Sequence, residues 1–135
     1  MRRTVLILAL VLGVVALAGT ACGGSGSDEG TSSADAVAEI DEIKSMLDQG
    51  LAQYRDGDKQ AADTTVGDAY LEHFEEVEDP LGEADHEFME ELEHRISTEI
   101  RDKMKDGASA DEVAQLIDDT KADLDTAKTK LQESG

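Results

Sequence analysis

The chain has 135 residues, with 12 lysines and arginines against 32 aspartates and glutamates, a formal net charge of -20. That balance excludes nucleic acid as a partner, because phosphate binding needs a basic surface, and it argues against broad contact with anionic lipid. It favours cations, basic partners or solubility at high salt, with a solvated acidic surface as the plain alternative.

The N-terminus reads as a targeting segment. Arg2 and Arg3 form a short basic region, and Val5 to Leu17 is an apolar run too short for a comfortable membrane span. Ala18-Gly19-Thr20-Ala21 supplies small residues ahead of Cys22, the only cysteine. The pattern predicts a lipoprotein signal peptide over 1–21 with Cys22 lipidated as the mature N-terminus. Gly19 stands where such signals carry an aliphatic residue. Ordinary secretory cleavage and an uncleaved membrane anchor are the alternatives. A single cysteine allows no intrachain disulfide. Both leading arginines and no acid lie in the signal, so the mature chain keeps 10 basic and 32 acidic residues and carries -22. Residues 22–33 are rich in glycine and serine, cannot bury apolar surface, and read as a flexible tether.

The domain is expected over 34–135, roughly 100 residues, enough for one modest core. The first helix is expected from about Ala34 to Arg55, with Val37, Ile40, Ile43, Leu47, Leu51 and Tyr54 at three- and four-residue spacing. Ser32 or Ser33 caps it, and Asp56-Gly57-Asp58 ends it. The second runs from about Lys59 to Glu78, and Asp79-Pro80 is expected to end it and cap the next. The third starts at Pro80 and carries Leu81, Asp85, Phe88, Met89, Leu92, Ile96, Ile100 and Met104 on one face. Gly107 closes it. The fourth opens on the capping box Ser109-Ala110-Asp111-Glu112 and continues through Val113, Ile117, Leu124, Ala127 and Leu131. No stretch alternates as a strand does. Short polar turns between helices of similar length predict an all-α, up-down-up-down four-helix bundle.

Candidate chemistry gathers around residue 80. His73 interrupts the apolar face formed by Val66, Ala69, Tyr70, Phe74 and Val77. With a turn centred near 80, it lies opposite Asp85 and His86, at the end that also receives Glu39, Asp41 and Glu42 of the first helix and Asp123 and Asp125 of the fourth. Imidazole with carboxylates at the mouth of a bundle suits a transition metal such as iron or manganese. His73, Glu75, Glu76, Glu78 and Asp85 are the candidate ligands. For His73 a core-edge histidine bonded to one carboxylate is favoured over a metal ligand, and for Asp85 the alternative is a partner of His73 or of the proline turn. His86 and His94 fall off the apolar stripe and read as surface residues. No phosphate loop, H-E-x-x-H pair or usable cysteine nucleophile is present, so no enzyme is expected.

One stretch resembles a known family. Ala52-Gln53-Tyr54-Arg55-Asp56-Gly57-Asp58-Lys59-Gln60-Ala61-Ala62, then Asp68-Ala69-Tyr70-Leu71-Glu72-His73-Phe74-Glu75-Glu76-Val77-Glu78 and Leu81, looks like the extracytoplasmic helical domain attached to bacterial high-affinity iron permeases. The resemblance covers roughly residues 35 to 131 and is strongest at 52–81. Asp79 is an insertion relative to the family's Val-Glu-Pro form. The permease's transmembrane helices, with their Arg-Glu-x-x-Glu iron motifs, are absent from this sequence. The resemblance therefore implies a lipid-anchored accessory domain for iron uptake on the extracytoplasmic face of the cell membrane, with Glu75 and Glu78 as the carried-over carboxylates. Iron, or another divalent or trivalent metal, is the ion implied, and an iron permease the partner. The rival expectation is a metal-free structural lipoprotein that docks another envelope protein. Replacing Cys22 by serine is expected to abolish fatty-acid labelling and shift the protein from the membrane to the soluble fraction. Unchanged labelling and fractionation would remove the lipoprotein reading.

Overall fold

The computed structural model describes residues 31–135. The expected signal peptide, Cys22 and the expected tether up to residue 30 lie outside the described residues. The described chain is all-helical and contains no strand.

Helix α1 (Ser33–Arg55) starts where Ser32 accepts a hydrogen bond from the Asp35 N–H at 3.2 Å. It buries Ala36, Ile40, Ile43, Leu47, Gly50, Leu51 and Tyr54 along one stripe, with Val37 only half-buried. Its end is closed by Gly57 at φ 87°. The Gly57 N–H donates to the Tyr54 carbonyl and the Asp58 N–H to Gln53, which satisfies two otherwise orphaned carbonyls. Asp58 then caps α2 (Lys59–Asp68) by accepting the Ala61 N–H at 3.1 Å. The same device recurs at Gly107, φ 78°, with Gly107 N–H to Met104 and Ala108 N–H to Lys103. Ser109 and Glu112 form the expected capping box at the head of α5 (Ala110–Ser134).

Between these two turns the chain is helical from Lys59 to Lys105 apart from one residue. After α2 comes a π-helical turn, Ala69–Phe74, then α3 (Glu75–His94), a second π turn, Arg95–Glu99, and α4 (Ile100–Lys105). The break does not fall at Asp79-Pro80, as the sequence suggests. Pro80 sits inside α3, and the residue after it, Leu81, is fully buried and holds that turn against the core. The chain leaves helical geometry at Asp85, φ -161° and ψ 91°. Asp85 can do this because its carboxylate accepts the Phe88 N–H at 3.2 Å and restarts the helix as an N-cap. Proline, by contrast, removes a donor without supplying a cap. The middle stretch therefore doubles back: Arg101 bonds both carboxylate oxygens of Asp63, at 2.8 and 3.3 Å. Its turn centres nearer residue 82 than 80.

The core joins all of these elements. Phe74, Val77, Leu81, Leu92, Ile96 and Ile100 from the middle stretch meet the stripes of α1 and α5. The π turns serve this packing. Leu92, Ile96, Ile100 and Met104 recur every fourth residue, and a regular helix would rotate such a series away from the core. The wider turn at 95–99 brings it back. Helices α1 and α5 are antiparallel and laced by Lys44–Asp125, Lys121–Asp48 at 2.6 Å and Lys128–Asp41 at 2.8 Å. No helix among the described residues is long and apolar enough to cross a membrane. Truncating Phe74 to alanine should lower unfolding free energy by about 3–5 kcal/mol, and Gly57→Ala by about 1 kcal/mol, because Gly57 is left-handed. Chemical denaturation of both variants checks the order.

Candidate functional site

The π turn at 69–74 decides what faces what. One extra residue in the turn puts Ala69 and Phe74 in the core and leaves Tyr70 and His73 at its edge. Tyr70 stacks on Phe74, ring centroids 6.2 Å apart and planes at 28°. His73 reaches α1 rather than the third helical run: its Nδ1 lies 2.6 Å from Glu39 Oε2. It is thus a core-edge histidine held by one carboxylate, and Asp85 is not its partner.

Asp85 faces α5. Lys130 Nζ is 2.8 Å from its Oδ2 and also lies 5.3 Å from the centre of the Phe88 ring. The Lys130 ammonium, then the Phe88 N–H, hold the Asp85 carboxyl below its usual range. Glu75 and Glu76 are exposed, and Glu76 takes a hydrogen bond from the Thr31 hydroxyl. The five candidate ligands therefore do not form one site. Among the described residues, no three histidine, cysteine, aspartate or glutamate side chains converge closely enough to hold a metal ion.

Glu78 is the exception in its surroundings. It is half-buried, and its Oε1 is fully enclosed with no hydrogen-bond partner in the protein. Burial pushes its carboxyl above the ordinary range, and the negative charges of Glu93, Glu75 and Asp79 push the same way, while the Tyr70 hydroxyl opposes them. The phenol responds in kind: burial and the nearby Glu78, Glu93 and Glu75 raise Tyr70 to about 12. A buried carboxylate oxygen without a donor costs free energy unless it gains a proton or a cation. Glu75 and Glu78 are among the candidate ligands expected from the sequence, whereas Glu93 and the phenol of Tyr70 are not. The spacing of Tyr70 marks it as core, and Glu93 comes opposite it only when the hairpin centres on 82. The Arg101–Asp63 charge pair was the available signal for that register.

Around this point the sequence is one-signed. Eleven carboxylates and no lysine or arginine lie between Glu72 and Glu93. Leu71 stands out of the same region, 58% exposed. His86 is exposed, as its position off the stripe implies, and lies 3.5 Å from Glu90. His94 is exposed too and lines an open cleft with Glu99, Asp102 and Glu112.

No protein-family model, curated protein or solved structure matches this chain.

The titration of Glu78 has a definite sign. Its folded value lies above the ordinary 4.5, so its contribution to stability is present below that value and is lost as pH rises through the raised one. Asp63 and Asp85 run oppositely, stabilising above their ordinary 3.8 and ceasing to do so in acid. Glu78→Gln should therefore raise the melting temperature at pH 7, by about 3 °C or more, and the gain should shrink toward pH 4. Thermal scans of the two proteins across that range are the check, and a constant difference would contradict the assignment.

Proposed function

We propose that this protein is an extracytoplasmic accessory domain, lipid-anchored to the cell membrane, that captures a metal cation and presents it to a permease. Iron is the first candidate. The single observation that carries the reading is Glu78, a half-buried carboxylate with an enclosed, unpartnered oxygen. It sits within the very stretch that resembles the iron-permease domain. The donors around it are all oxygen: Glu75, Glu93 and the Tyr70 hydroxyl. These carboxylates do not converge as they stand; a hard cation bound at Glu78 would draw its neighbours in, replace the missing hydrogen-bond donor and relieve the repulsion among them. His73 and Asp85, already paired with Glu39 and Lys130, would support the fold and not the ion.

The proposal includes the up-down-up-down four-helix bundle, with α1 and α5 as two runs and the doubled middle stretch as the other two. The Asp63–Arg101 pair and the α1–α5 ion pairs support this arrangement. As a carrier the protein needs no catalytic residue, and none is proposed. A second reading, docking of a basic envelope protein without any metal, draws on the carboxylate-rich surface between Glu72 and Glu93 and on exposed Leu71.

Calorimetric titration with Fe(II), Fe(III), Mn(II) and Zn(II), in salt high enough to screen the acidic surface, distinguishes the two. Saturable binding that raises the melting temperature is expected. Glu78→Gln should weaken it about tenfold or more, equivalent to about 1.4 kcal/mol, and His73→Ala should leave it unchanged. Binding that never saturates and vanishes with salt would sink the cation role and leave the docking role.

A further inference from the structure

The three turns among the described residues are not built alike. Those at Gly57 and Gly107 are locked by left-handed glycines and paired carbonyls, and each can only be a turn. The third is one residue long. Asp85 leaves the helix with extended dihedrals that any residue can adopt, and the residues on both sides are helical. The apolar stripe does not register the break: Val77, Leu81, Asp85, Phe88 and Leu92 follow one another at spacings of four, four, three and four. The same segment thus satisfies an unbroken helix as well as a hairpin. Two contacts at Asp85 favour the hairpin, its acceptance of the Phe88 N–H and its bond to Lys130. A straight helix would exchange the first for ordinary backbone hydrogen bonds across residues 81–89.

We propose that Asp85 is a hinge at which two copies of this chain exchange halves to form a domain-swapped dimer. With Asp85 helical, residues 59–105 form one rod of about 70 Å. In it the Asp63–Arg101 contact cannot form within a chain, and neither can the packing of the two π turns on each other. Both are regained when the second half comes from the partner, as are the α1–α5 ion pairs. Contacts between the two sides of the hinge are then remade between copies while those within each side are kept, which is what makes such exchange low in cost. Tyr70 and Glu78 lie on one side of the hinge and Glu93 on the other, about 35 Å from Tyr70 and about 22 Å from Glu78 along a straight helix. In the dimer the carboxylate cluster is completed by the partner's Glu93. The exchange itself does not depend on cation binding.

The test uses the full chain with Cys22→Ser, to keep lipid out of the mass, purified in mild detergent and measured by native mass spectrometry and light scattering. Asp85→Ala removes the cap and the Lys130 bond and favours helix. It should tighten dimerisation about tenfold or more. A four-residue Gly/Ser insertion after Ala84 gives the hairpin a relaxed loop and should make the protein monomeric. Lys130→Ala, which leaves the cap in place, should raise the dimer fraction by a smaller factor. If circular dichroism shows that Asp85→Ala has lost its helices, the insertion and Lys130→Ala decide. A monomer in both Asp85→Ala and Lys130→Ala overturns the proposal. So does a dimer fraction that the insertion leaves unchanged, because a side-by-side dimer is indifferent to the hinge.

Discussion

The buried stripe of α1, from Ala36 to Tyr54, is shared by α2, the first π turn, α3 and α5, so the placing of every other element depends on it. The chain has only two phenylalanines, two tyrosines and no tryptophan, and its core is therefore filled mainly by aliphatic side chains that bury modest area each. Such a core needs close approach to reach native packing density. Gly50 provides it: a Cβ there would come within 2.8 Å of a Val66 methyl. That contact brings α2 against α1 and fixes the entry of the middle stretch. Tyr54 anchors the same end by donating to the Ala108 carbonyl at 2.7 Å.

Most of the helices were legible because their signals are local. Ser32, Asp58, Ser109 with Glu112, and the glycines at 57 and 107 each act on the backbone within a few residues, and all of them do in the structure what their spacing implies. Sequence and structure part where a choice depends on residues far away. Proline at 80 is a strong breaker taken by itself, yet Leu81 is held in the core by contacts that sequence spacing does not reveal. Asp85 reads as a ligand, or as a partner of His73 or of the proline turn. In the structure it caps the corner locally through the Phe88 N–H, and its charge partner, Lys130, lies 45 residues further on. The π turns leave no mark in a pattern read at helical period, and they decide that His73 meets Glu39. Glu78 was singled out by motif, but its enclosed oxygen is a property of the packed hairpin alone.

Charge is distributed with the same economy. Lys121 and Lys128 of α5 and Lys44 of α1 are spent on aspartates across the α1–α5 seam, Lys130 on Asp85, and Arg101 and Lys105 on Asp63. Exposed pairs of this kind add little stability each, but they fix the register of antiparallel neighbours. What remains, between Glu72 and Glu93, is negative charge with no lysine or arginine of its own. Repulsion there is tolerated because most of these carboxylates face water; Glu78 is the one that carries an enclosed, unpartnered oxygen.

The two ends of the described chain meet. A side chain at Gly135 would touch Ser33 at 3.5 Å, and Thr31 bonds Glu76. The hairpin corner at Asp85 lies at this same end, against Lys130. Anything that restrains the polypeptide upstream of residue 31 therefore restrains it at the corner, and the locked turns at Gly57 and Gly107 point away. A tension applied through the N-terminus would load the α1–α5 seam lengthwise and reach the glycine turns last, so the fold has a fixed polarity between a held end and a free one.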